Sequence, residues 1–260
     1  MNTPETVINL LRKYQQKSIV PDSRYSVSCV LKDDDENIYA GANIEFKDRT
    51  LGICAEGAAI SQMISQKGYR PIKEIWLMGQ SRETSKTAQD ELLVPCGICL
   101  QRLAELSEND TKVHIVSPQG KTVAVFRFDD LLAYKNVFKD DFSLDKITLE
   151  EELCLTSVQT ALKTLMARSF APDEKKREAV ILQTEKDNFA YGVYFSSCCY
   201  KADIPALNMA IYNFLLSTHA SERIVHVYYA AENSALYVHP EFSDLLKNSV
   251  ISEIKVENAK

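Results

Sequence analysis

The feature that most constrains the fold is that the chain repeats itself. Asn37-Ile38-Tyr39-Ala40-Gly41 is echoed by Asn188-Phe189-Ala190-Tyr191-Gly192, an offset of 192 − 41 = 151 residues, and at that offset Ile53, Ala55, Ala59 and Ile60 fall on Ile204, Ala206, Ala210 and Ile211. A repeat of this length means that one fold must serve both halves, each burying the same apolar positions. The 260 residues are enough for two domains of ordinary size. Residues 1–138 form the first copy and residues 151–260 the second. Residues 139–150, within a stretch rich in Asp and Glu that lacks an apolar run, form an acidic linker.

Residues 3–16 predict a helix, with Pro4 suited to its first position and Val7, Leu10, Leu11 and Tyr14 on one face. Strand-like runs follow at 25–32 and 38–45, joined by the charged turn Asp33-Asp34-Asp35-Glu36-Asn37, which reads as solvated surface. A helix starts near Cys54, with Ala59, Ile60, Met63 and Ile64 along one side. Ile75-Trp76-Leu77-Met78 reads as a buried strand, Pro95 opens a helix reaching Leu106, and residues 113–116 and 122–126 read as strands. After the linker, a helix beginning at about 149–153 runs to Arg168. Strands and helices in this alternation imply an α/β sheet with helices packed on it.

The net charge of −6 comes without a basic stripe, which disfavours a polynucleotide partner and suits a small uncharged ligand. No window nears the roughly 20 apolar residues needed to span a bilayer. The opening Met1-Asn2-Thr3-Pro4-Glu5-Thr6 lacks the basic and apolar regions of a secretion signal, so the expectation is a cytoplasmic protein without a membrane partner. In that setting, seven cysteines, an odd number, argue for metal binding or burial over a disulfide framework. Cys198-Cys199 reads as a buried pair.

The residues that carry chemistry are Cys54-Ala55-Glu56 and Pro95-Cys96-Gly97-Ile98-Cys99. A C-x-x-C alone is ambiguous between metal, redox and no role. Here both segments sit where a helix begins, and the peptide N–H groups there favour thiolate. Three thiolates hold a zinc ion and leave its fourth position for water, made acidic enough to supply hydroxide near neutral pH. Glu56, two residues past Cys54, is placed to carry a proton from that water to a ring nitrogen and a leaving amine. The alternatives are a structural zinc completed by Cys29 or plain buried thiols, with Glu56 a solvated first-turn carboxylate, Asn43 and Glu45 ending a strand, and Tyr25 an ordinary strand aromatic.

Together with Gly41-Ala42-Asn43-Ile44-Glu45-Phe46, these motifs resemble the cytidine deaminase family over roughly residues 20–138. The resemblance implies a three-layer α/β/α fold, one Zn2+ in the active domain, and hydrolysis of cytidine and deoxycytidine to the uridines and ammonia, a step of pyrimidine salvage. It implies that Cys54, Cys96 and Cys99 hold the metal and that Glu56 is catalytic. Asn43 and Glu45 would bind the ribose hydroxyl, Tyr25 would stack on the base, and Ala55 joins the substrate-binding set. The chain is most similar to the family's two-domain form, a homodimer whose second copy is degenerate. Pro205 and Leu207 stand where Cys54 and Glu56 do, and Pro240 and Ser243 replace Cys96 and Cys99. Three departures stand out. The long form usually has His where this chain has Cys54. Three-cysteine members usually carry Arg after the Glu, and many carry another after the last Cys, where this chain has Gly57 and Leu100. Zinc on three thiolates carries a net −1, so the missing arginines make the water less acidic; Arg102 and the two helix starts are the candidates to compensate. The competing functional readings are a zinc-binding pseudoenzyme and a deaminase of another small aminopyrimidine nucleoside.

Overall fold

The computed structural model describes residues 3–82, 93–133, 157–172, 177–232 and 235–256; the acidic linker expected at 139–150, and Cys154, lie outside them. By contacts the chain divides into two units, Met1–Gln62 with Arg70–Val137, and Met63–Tyr69 with Phe138–Lys260.

The first unit is built on β1 (Tyr25–Asp33), β2 (Ile38–Ala42), β3 (Ile72–Ser81), β4 (Ser107–Val116) and β5 (Thr122–Arg127), ordered β2-β1-β3-β4-β5. The β3–β4 pair is parallel and the others antiparallel. Helix α1 (Glu5–Lys17) buries Val7 and Leu11 against Val30, Ala40, Trp76, Met78 and Val116. Successive strand residues face opposite sides of a sheet, so Gly41, next to Ala40, looks the other way, toward α2 (Ala55–Lys67). A β-carbon at Gly41 would stand 2.5 Å from the carbonyl oxygen of Ala55 and 2.7 Å from the carbonyl carbon of Ala58. Glycine is required there because the helix backbone lies directly on the strand. Helix, sheet and helix make three layers.

The charged turn between β1 and β2 is more than solvated surface. Asp33 is fully buried; Oδ1 accepts from the amides of Asp35 and Asn37, and Oδ2 accepts from Asn37 Nδ2 and the Tyr39 hydroxyl. Glu36 takes the left-handed conformation (φ 65°) that this tight reversal needs. Further described α-helices of this unit are α3 (Gly97–Ala104), opened by Cys96 as its cap and shorter than the 95–106 span expected, and α4 (Phe128–Leu131).

The second unit contains α5 (Val158–Ala167), β6 (Glu178–Thr184), β7 (Phe189–Val193), α6 (Ala206–Leu215), β8 (Ile224–Ala231), α7 (Ser243–Leu246) and β9 (Val250–Glu253), with sheet order β7-β6-β8-β9 and β8–β9 parallel. Helix α5 is capped by Ser157, extended in backbone, which accepts from the Thr160 amide; the start expected at 149–153 lies outside the described residues. The duplication is visible in the backbone at matching positions. The isolated bridges Ile19–Ile44 and Ile44–Ile53 recur, 151 positions on (170 − 19), as Phe170–Phe195 and Phe195–Ile204. Asp187 (φ 60°) repeats Glu36, and a β-carbon at Gly192 would overlap the Ala206 carbonyl and Ala210 amide as one at Gly41 overlaps α2. Cys198 is half-buried and Cys199 exposed, contrary to the buried pair expected, because they lie in the irregular turn where the Cys199 amide donates to Ser197 Oγ. No described helix is long and apolar enough to cross a membrane.

Candidate metal centre

The Ile44–Ile53 bridge delivers the chain to the start of α2, where the Cys54 carbonyl accepts from the Ala58 amide. Cys96 similarly opens α3, accepting from Leu100, and Cys99 lies one turn further on the buried side of that helix. The sulfur atoms of Cys54 and Cys96 are 3.9 Å apart, those of Cys96 and Cys99 3.3 Å apart, and all three lie within 4.8 Å of one another. Sulfurs about 2.3 Å from a tetrahedral zinc stand about 3.8 Å apart, so the three thiols suit that ion with little rearrangement. Among the described residues no other cluster of metal-ligating side chains forms, and the buried Cys29 lies outside this one. Cys54 and Cys96 reach solvent, and Cys99 is buried.

The thiols are poised unequally. Cys96 is held well below the usual thiol range by its contacts with Cys54 and Cys99 and by the amides of Cys99 and Ile98 at the start of α3. Its partners move the other way: the contact with Cys96 pushes Cys54 up to about 12, and contacts with Cys54 and Cys96 raise Cys99. A bound divalent ion would displace the protons that these sulfurs carry.

Glu56 is 5% exposed, in the first turn of α2. Burial pushes its carboxyl up to about 7, opposed by its own backbone amide, by Cys99 and by the Arg102 guanidinium. Arg102 is itself 8% exposed, on the buried side of α3 with Cys99. Its Nη1 comes 2.8 Å from where a β-carbon on Gly57 would stand.

The other residues expected to bind substrate lie around the start of β1. Asn43 extends the strand pairing with its side chain: Oδ1 accepts from the Val27 amide at 2.9 Å, and Nδ2 donates to the Tyr25 carbonyl at 2.9 Å. Glu45 Oε2 accepts from the amides of Asp22 and Ser23 at 3.0 and 3.1 Å. With Asp22, Ser23, Phe46, Arg49 and Gly52 it lines a cleft of about 300 Å3. The Tyr25 ring packs over Gly79 of β3, and Ala55 is buried with its carbonyl against Gly41. Asp22, Ser23 and Arg49 escape a sequence reading because they come from turns that carry no periodic pattern. Arg102 carried a signal, three residues after Cys99 on the same helix face.

The equivalent positions of the second unit are put to other use. Asp203, 151 beyond Gly52 (203 − 52), accepts from the Tyr194 hydroxyl at 2.6 Å and the Ser197 amide at 2.7 Å, and these two match Asn43 and Phe46. Pro205 caps α6 and Leu207 is buried, where the first unit has Cys54 and Glu56. Pro240 opens a short 3-10 turn and Ser243 begins α7.

Two family models described as the cytidine and deoxycytidylate deaminase zinc-binding region match the chain, one over residues 1–115 and the other over residues 124–241. A cytidine deaminase of Halalkalibacterium halodurans is 33% identical over 106 residues, 41% of this chain and 74% of that one. A cytidine deaminase of Mycoplasma genitalium is 27% identical over 128 residues, 49% of this chain and 91% of its own. A cytidine deaminase of Serratia proteamaculans is 23% identical over 221 residues, 84% of this chain and 70% of its own. Among solved structures, the cytidine deaminase from Burkholderia pseudomallei aligns at 26% identity with a TM-score of 0.44, covering 52% of this chain and 99% of that one. With matches to the family in each half of the chain and a relative one-third identical, this chain belongs to the cytidine deaminase family.

Proposed function

We propose that this chain is a zinc-dependent hydrolase that converts cytidine and deoxycytidine to the corresponding uridines, releasing ammonia. The observation that carries the reading is the set of three sulfurs, from two helix starts and at coordination spacing, beside a buried carboxylate. Cys54, Cys96 and Cys99 hold the ion through thiolates; Cys96 is already predisposed to that form. Bound there, zinc supplies Lewis-acid activation of water at neutral pH.

The chain's own residues do the rest. Glu56 takes one proton from the attacking water and gives it to the ring nitrogen next to the amine-bearing carbon, then takes the second proton from the added hydroxyl and gives it to the departing amine. Water adds, the carbon–nitrogen bond breaks, and ammonia leaves. Burial shields this carboxylate from bulk water, so the proton stays in the site. The ribose lies in the cleft walled by Glu45. The Asp22 and Ser23 amides fix one oxygen of that carboxylate, and so orient it toward a sugar hydroxyl. Asn43, held by the Val27 amide and the Tyr25 carbonyl at the start of β1, is the second residue assigned to the sugar. Tyr25 offers an aromatic face for the base, and Ala55 lines the site at the start of α2.

Residues 1–138 then form the catalytic domain, 139–150 a linker, and 151–260 a domain without metal that completes the assembly. Two such chains make a homodimer of four domains. The acidic charge fits a small nucleoside over a nucleic acid, and pyrimidine salvage in the cytoplasm is the setting. The test is an absorbance time course on cytidine, deoxycytidine, free cytosine and a cytidine-containing oligonucleotide. Turnover of the two nucleosides above the other two supports the reading; an inert protein, or one that prefers cytosine or the oligonucleotide, refutes it.

A further inference from the structure

We propose that Arg102 is the charge-balancing and positioning residue of the metal centre, reaching from α3 into the space that Gly57 leaves open on α2. The inference rests on the zinc reading above and extends it to a residue outside the ligand set. The charge arithmetic demands such a group. Three thiolates on a divalent ion leave −1, and an ionised Glu56 makes the site −2, in surroundings that bury both Cys99 and Glu56. Burying net charge is expensive unless an opposite charge lies nearby.

Arg102 meets that demand by position. It follows Cys99 by one helical turn on the buried side of α3, and its guanidinium is largely withdrawn from solvent. A side chain on Gly57 and this guanidinium exclude each other, since a β-carbon at 57 would stand 2.8 Å from Arg102 Nη1 and 2.8 Å from Ile53 Cγ1. Gly57 follows Glu56 directly, so the guanidinium lies against the first turn of α2, near enough to Glu56 to favour its ionised form. A guanidinium stays charged at any working pH and presents planar donors, which suits it to hold a thiolate and a carboxylate in fixed orientation. Its contribution is to lower the energy of the loaded site and to keep α2 and α3 in register around it. It does not touch the reacting atoms.

The experiment measures zinc affinity of the full chain by competition with a chromophoric chelator, alongside kcat and KM on cytidine. It compares the unaltered protein with Arg102→Lys, Arg102→Met and Arg102→Gln. Loss of an outer partner of this kind typically weakens metal binding by about 10- to 100-fold. Arg102→Met and Arg102→Gln should fall in that range and lower kcat with KM little changed, and Arg102→Lys should recover most of the affinity. The metal-free melting temperature should not drop in Arg102→Met, because replacing a buried charge by a side chain of similar volume is often neutral or stabilising. Gly57→Ala, which pushes the guanidinium aside without removing it, should weaken zinc in the same direction. If the unaltered protein takes up no zinc, the functional reading fails and this inference with it. If it binds zinc and folded Arg102→Met or Arg102→Gln binds equally well, the functional reading stands and the role given to Arg102 is overturned.

Discussion

Gly41→Ala and Gly192→Ala form a matched pair that the duplication supplies. At Gly41 a β-carbon would sit 2.5 Å from the Ala55 carbonyl oxygen, where ordinary contact begins near 3.4 Å. The shortfall is about 1 Å, and the opposing atoms are helix backbone, which cannot rotate away. Either strand β2 or helix α2 must therefore move by about that much. Overpacking of this kind costs about 1–3 kcal/mol, and each kcal/mol lowers the melting temperature by about 2–4 °C in a chain of this size. Gly192 faces the same overlap against Ala206 and Ala210, so both variants should lose comparable stability. They should differ in function. Displacing α2 shifts Cys54 and Glu56 against Cys96 and Cys99, and a misplacement of about 1 Å can cost about 100-fold in rate. Displacing α6 shifts Pro205 and Leu207, which hold no metal in this account. The assay is kcat on cytidine per folded molecule, with zinc content and thermal melts measured in parallel. Full activity in Gly41→Ala, or an equal loss in Gly192→Ala, would refute the reasoning.

Glu56→Ala should keep one zinc per chain and lose deamination; near-normal turnover in the absorbance assay would remove Glu56 from the proton path. Asn43→Ala strips partners from the Val27 amide and the Tyr25 carbonyl. It should cost about 1–3 kcal/mol in denaturant melts and raise KM for cytidine, and an unchanged KM would end its assignment to the sugar. Glu45 carries a pH dependence of known sign. Partial burial raises its carboxyl, but the Ser23 and Asp22 donors outweigh it and the net shift is downward. Its stabilising contribution is therefore full above the unfolded carboxylate pKa of about 4.3 and is lost as pH falls through the lower folded value. The stability gap between the unaltered protein and Glu45→Gln should shrink as the medium is acidified through that window, and a gap that widens would contradict the hydrogen bonds described.

Much of this was legible in the chain because the repeat and the thiols are local features. Gly41 and Gly192 stand in matching pentapeptides because each touches a helix backbone, and close approach leaves no other residue type available. The cysteines are readable because two helix starts mark them. What the sequence hides is how polar residues are used. Asp33, in a run that reads as solvated, is buried because it organises the reversal between β1 and β2. Asn43 and Glu45 read as ligand contacts, yet both also hold backbone amides of their own unit. Arg102 could be named as one compensating charge among several, and only the space beside Gly57 singles it out. Cys198 and Cys199 read as core from composition, but the turn that holds them leaves Cys199 in solvent. In each case a particular hydrogen bond or a single void decides the outcome, and neither leaves a periodic trace.

Zinc-edge X-ray absorption on the purified full chain tests the central claim most directly. The account expects three sulfur neighbours at about 2.3 Å and one lighter neighbour, with each of Cys54→Ser, Cys96→Ser and Cys99→Ser removing one sulfur or the metal altogether. Four sulfurs would mark a closed structural site, and a shell without sulfur would mean that these three thiols hold no zinc; either result would contradict it.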